Sequence, residues 1–163
     1  MISFKIGKLR SLASTNLFIL ALRLVQFFFG GVVMGIMAYY IDIQLKAGLK
    51  APSPYIFSLV VALSALFTQI IYCFSFEMKQ AFFWDGAVGI GFLLSFFSFL
   101  NFAGGYLSCG WSSFNPFGSD RCAQTRSVFI MQIILAVLWF LTGMLQAIDF
   151  FRARRYIAAK VEV

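Results

Sequence analysis

Histidine is absent from this 163-residue chain. With it go His-ligated zinc, bis-His haem and every His-based catalytic triad. Charge is scarce too: Asp, Glu, Lys and Arg make up 12% of the residues, half of the roughly 25% carried by a soluble domain. P-loops, Gly-rich dinucleotide loops, nucleophile elbows and metal-ligand spacings are missing, so no cofactor and no metal are expected. Apolar residues are abundant, at 61%, with 19% aromatics and 22 Phe, and the mean hydropathy is +0.89. Disordered chains are poor in aromatics and rich in charge, which excludes disorder. The composition is that of an integral membrane protein.

Four apolar runs, Leu17–Ile41, Tyr55–Phe76, Gly86–Leu107 and Val128–Phe151, each approach the ~20 residues that cross a bilayer core. Strand-period alternation is absent and the runs are about twice a barrel strand's length. The expected fold is therefore all-α, a four-transmembrane-helix bundle. Residues 1–16 form a basic N-terminal segment, 17–151 the membrane domain and 152–163 a basic tail. The longest connection, Ser108–Ser127, cannot hold a domain with its own core. The first run follows Lys5, Lys8 and Arg10 as a signal peptide's would. It is too long for an h-region of ~7–15 residues and lacks a small-x-small cleavage site, so it is read as a retained span. Ser14, Thr15 and Asn16 offer N-cap chemistry for it, and Pro52, Pro54, Asn115-Pro116 and Phe117-Gly118 mark turns.

With both termini on one side, that side carries Lys5, Lys8, Lys79, Lys160, Arg10, Arg152, Arg154 and Arg155. The other carries Lys46, Lys50, Arg121 and Arg126. Cytoplasmic loops collect Lys and Arg, which predicts both termini in the cytoplasm. The net charge of +7 then points to the anionic inner leaflet, at about 1 kcal/mol per basic residue near the surface, and not to nucleic acid. Ile2, Ile6, Leu9 and Ala13 share one face of the N-terminal segment, as an interfacial helix requires.

At 100° per residue each span shows a seam of small and polar residues. The first carries Arg23, Gln26, Gly30 and Met34, with Gly31 and Gly35 spaced as GxxxG beside them. The second carries Ser58, Ala62, Ala65 and Gln69. The third carries Gly91, Ser95, Ser98, Asn101 and Gly105, opposite Phe92, Phe96 and Phe99. The fourth carries Gln132, Trp139, Thr142, Gly143 and Gln146. Small residues let helix backbones approach, and amides and hydroxyls bond between helices in lipid. The seams are expected to build the bundle interior and to hold no deep acid, which disfavours a polar transport path.

Arg23 lies about 9 Å inside its span at 1.5 Å per residue. Two structural readings are open: it snorkels to lipid phosphates, or it pairs with Asp149 near the end of the fourth span. Cys109 and Cys122 stand in the last, non-cytoplasmic loop, where disulfides persist. Joining them closes a short loop worth about 3 kcal/mol on the chain-entropy model. Cys73, at the cytoplasmic end of the second span, is either a plain buried thiol or a site of reversible palmitoylation.

Cys109, followed by Gly118-Ser119-Asp120-Arg121-Cys122-Ala123-Gln124 and a helix rich in Ala, Trp and Phe, resembles the fungal branch of the MARVEL-domain proteins. The resemblance is greatest to the non-classical-export and eisosome-associated members. In that branch a Cys in the last outer loop precedes an Arg-Cys pair just before the fourth span. The resemblance implies an M-shaped bundle in the plasma membrane that serves membrane apposition, microdomain organisation or vesicle traffic, with no catalytic residues. The expected function is that of a non-enzymatic organiser whose partners are membrane lipids, other membrane proteins or further copies of itself. The alternative is an accessory subunit of a larger complex such as a pump, channel or polysaccharide synthase.

Overall fold

The computed structural model describes the backbone of residues 3–74, 81–103, 116–118 and 120–161. Side chains are described for residues 17–72, 82–102, 116–118 and 120–152. Four helices form: α1 Ser3–Lys46, α2 Ser53–Phe74, α3 Ala81–Ala103 and α4 Arg121–Val161. Each contains a stretch long and apolar enough to cross a membrane: Leu17–Lys46, Ser53–Tyr72, Phe82–Phe102 and Arg121–Arg152.

Two helix starts differ from the hydropathy reading. α3 begins before Gly86 and takes in Phe82, Phe83, Trp84 and Asp85. α4 begins before Val128 and takes in Arg121 to Ser127. Polar residues lower a sliding hydropathy average, but they do not end a helix whose polar side chains find partners. Asp120 starts α4 locally, its carboxylate accepting the Cys122 N–H at 3.1 Å, as an N-cap does. α1 runs unbroken from Ser3 through Ser14, Thr15 and Asn16, so no helix starts at those residues. The N-terminal segment continues the first span's helix and is not a separate one. Gly48, at φ +71°, closes α1 in the left-handed conformation that favours glycine.

Side-chain partners give the direction of each helix. The start of the membrane span of α1 meets the end of α2, where Arg23 and Gln26 reach Gln69 and Tyr72. The end of α1 meets the start of α4 through Tyr40 and Gln124. Ser58, early in α2, meets Ser95, late in α3. The helices therefore run up, down, up and down around a square. Neighbours α1/α2, α2/α3, α3/α4 and α4/α1 pack along their backbones, whereas the diagonal pairs do not.

The buried faces follow the 3.6-residue period. α1 turns in Arg23, Gln26, Gly30, Val33, Met37 and Tyr40, and α2 turns in Ser58, Ala62, Ala65 and Gln69. α4 turns in Gln132, Leu135, Trp139 and Thr142. In α3 the expected face is corrected. Asp85, Val88, Phe92, Ser95 and Phe99 are buried, and Asn101 is exposed. Phe92 and Phe99 belong inside because the interior needs bulk beside the small residues of α2. An aromatic chain crosses the bundle there: Tyr40 stacks on Tyr55 at 5.9 Å, Tyr55 meets Phe99 edge-on at 5.3 Å, and Phe99 meets Phe129 at 5.0 Å.

Gly143 sets how closely α3 and α4 approach. A Cβ there would lie 3.2 Å from the Asp85 Cβ and 3.5 Å from the Phe82 carbonyl oxygen. By contrast, a Cβ on Gly31 or Gly35 meets nothing within 4 Å. Gly143→Leu should therefore overpack the interface and lower stability by roughly 1–3 kcal/mol, while Gly31→Leu leaves it near wild type. Thermal unfolding of both variants in one detergent checks this, and equal losses would contradict the packing described.

Candidate functional site: a four-helix polar junction

All four helices contribute to one buried cluster in the half of the bundle that holds the start of α1. Arg23 of α1 forms an ion pair with Asp85 of α3. The Arg23 side chain is 10% exposed and that of Asp85 is fully buried. The second carboxylate oxygen of Asp85 accepts the Tyr72 hydroxyl of α2 at 2.9 Å. The Arg23 guanidinium lies 4.5 Å from the Tyr72 ring centroid and 5.0 Å from that of Trp139 in α4. Such faces attract a cation by about 2 kcal/mol where water is excluded.

Amides extend the cluster. Gln26 Oε1 accepts Gln69 Nε2 at 2.8 Å and Arg23 at 3.4 Å, and Gln26 Nε2 donates to the Thr142 hydroxyl at 3.2 Å. Thr142 in turn bonds the carbonyls of Leu138 and Trp139 in its own helix. The charge is thus held by an acid, two aromatic faces and an amide.

A second junction lies about 15 Å along α3 and α4, ten residues away at 1.5 Å each. Ser58 and Ser95 share a hydrogen bond of 2.6 Å, and Gln132 Nε2 donates to both, at 3.1 and 3.0 Å. A third lies nearer the opposite end, where Tyr40 donates to Gln124 Oε1 at 2.7 Å and Gln124 Nε2 donates to the Gly118 carbonyl at 2.6 Å. Among the described residues, three buried polar atoms lack a hydrogen bond: Gln132 Oε1, Trp139 Nε1 and Gln146 Oε1.

Several sequence expectations are corrected here. Arg23 neither snorkels nor pairs with Asp149. Its partner is Asp85, and Asp149 is exposed on α4. The seams do hold an acid, because Asp85 rides into the membrane with the early start of α3. Gln69 and Gln132 join helices as expected, whereas Asn101 faces outward and Gln146 is half-buried without a partner for its oxygen. Gly31 and Gly35 face open space, not another helix of the bundle. Cys109 and the Cys73 side chain lie outside the described residues, and Cys122 stands in the first turn of α4. The signal for Asp85 was in its spacing. It falls four residues before Gly89, seven before Phe92 and ten before Ser95, on one face of a single helix.

Searches of family models, characterised proteins and solved structures return no match.

Removing one member of a buried ion pair leaves a desolvated charge and costs about 3–5 kcal/mol, whereas replacing both by apolar groups of similar volume is often neutral. Arg23→Leu and Asp85→Leu should each destabilise by that amount, and the double variant should recover most of the loss. Asp149→Leu should show no coupling to Arg23→Leu. A double-mutant cycle of unfolding free energies in detergent measures all three outcomes.

Proposed function

We propose that this protein is a non-enzymatic organiser of the plasma membrane. Both termini lie in the cytoplasm, and the protein acts through lateral contacts with lipids, other membrane proteins or further copies of itself. The observation that carries this reading is the division of the molecule into a self-bonded interior and an apolar exterior. The described polar groups within the bundle are largely consumed by one another at three levels. The outer faces carry exposed Phe18, Leu24, Phe28, Val60, Phe67 and Phe97 among many others. A body of this kind has differential affinity to offer only at its surface.

The eight-to-four division of Lys and Arg supports the orientation, and the basic ends suit an anionic inner leaflet. The Cys109 and Arg121-Cys122 element supports kinship with the fungal MARVEL-domain proteins. In this reading Cys109 and Cys122 form a disulfide in the outer loop, and Cys73 is buried or carries a palmitoyl chain.

Deleting the protein should alter the distribution of other plasma-membrane proteins, while the purified protein in liposomes should pass small molecules only at background rate. Saturable transport or substrate turnover by the isolated protein would overturn the reading. One stoichiometric partner after gentle extraction would favour an accessory subunit instead.

Mass spectrometry of unreduced peptides should find Cys109 linked to Cys122. Two free thiols in freshly isolated membranes would remove the loop closure.

A further inference from the structure

Gly31 and Gly35 leave space that no other helix of the bundle fills. A groove of about 620 Å³ opens along this side of α1, within the range of about 300–1,000 Å³ seen for ligand sites. Phe28, Gly31, Gly35 and Tyr39 line it on α1, and Phe117 and Gln124 close the opposite wall. From Phe27 to Tyr39 it extends about 18 Å at 1.5 Å per residue. One leaflet of hydrocarbon is about 15 Å deep, half of the bilayer core. The groove therefore runs from mid-membrane to the interface on the side away from Arg23 and Asp85.

The interfacial end is charged. Arg121 lies one helical turn from Gln124 on the same face of α4, and its carbonyl is 3.5 Å from the Tyr40 hydroxyl. Arg121 is exposed, and its guanidinium has no hydrogen-bond or ion-pair partner among the described residues. The Tyr39 hydroxyl, on the α1 wall of the groove, is likewise unpartnered among them. A slender apolar chain fits, and an anion at its head would meet Arg121.

We infer that the groove binds one glycerophospholipid, with an acyl chain on Gly31 and Gly35 and the phosphate at Arg121. This rests on the organiser reading above for its use and gives that reading a ligand.

The test uses purified full-length protein in phosphatidylcholine vesicles containing a phosphatidylcholine with a photoreactive diazirine on one acyl chain. Cross-linked peptides are then mapped by mass spectrometry. Label per residue should be at least five-fold higher on Phe27–Tyr39 than on the equally exposed α2 face around Val60 and Phe67. Gly31→Leu combined with Gly35→Leu should reduce that label at least five-fold with an unchanged thermal midpoint. Arg121→Gln, a surface change, should reduce it at least two-fold. Even labelling of the two faces in the wild type would overturn the proposal without recourse to any variant. So would label that free sterol removes but excess phosphatidylcholine does not, a wild-type dimer on sizing that the double glycine variant turns into monomer, or insensitivity to all three substitutions. These outcomes leave the effect of deletion on neighbouring proteins untouched, so failure here is distinct from failure of the organiser reading.

Discussion

Two diagonals hold this bundle together. Helices at opposite corners of the square do not touch along their backbones, yet Arg23 of α1 reaches Asp85 of α3 and Gln132 of α4 reaches Ser58 of α2. In lipid, tails are as apolar as the side chains they would replace, so burying Leu or Phe between helices brings little net gain. Directional bonds across the centre supply what hydrophobic burial supplies in water. The two diagonals lie at different depths and run between different corners. A one-turn slide of a helix, 5.4 Å, would break the bonds made at every level it serves.

The helices themselves were legible in the sequence, because four apolar runs of spanning length leave few alternatives. So were the inner faces of α1, α2 and α4, where small and polar residues recur at helical spacing. In α3 the same rule failed. Serine and phenylalanine are both buried there, and the rule that polar residues face inward and Phe outward assigned Phe92 and Phe99 to lipid. Asp85 escaped for a related reason. A hydropathy window penalises a carboxylate wherever it lies, without regard to a partner that the window cannot see. The partner sits two helices away, and a pairing across 62 residues leaves no local trace.

In the organiser reading proposed above, this interior is not a path. A path needs polar groups free to exchange partners with what passes. Here the Arg23 guanidinium is pressed between Tyr72 and Trp139, and both Asp85 oxygens are engaged. Gly143 brings α3 and α4 together at that level, where a Cβ would lie 3.2 Å from the Asp85 Cβ. Tight approach and the engagement of Arg23 and Asp85 make the junction a fastening.

That fastening has a bearing on how the chain is made. Arg23 emerges from the ribosome long before Asp85, so during synthesis the first span carries a guanidinium with no acid to meet it. A lone arginine at the centre of a spanning helix opposes insertion by about 2.5–3.5 kcal/mol on translocon scales, and Arg23, about 9 Å inside its span at 1.5 Å per residue, meets a smaller opposition. The strongly apolar residues on either side must carry the span in against that opposition, while the charge keeps to headgroups and water. The debt is settled only when the third helix arrives, and nascent chains that stop before Asp85 can never reach it.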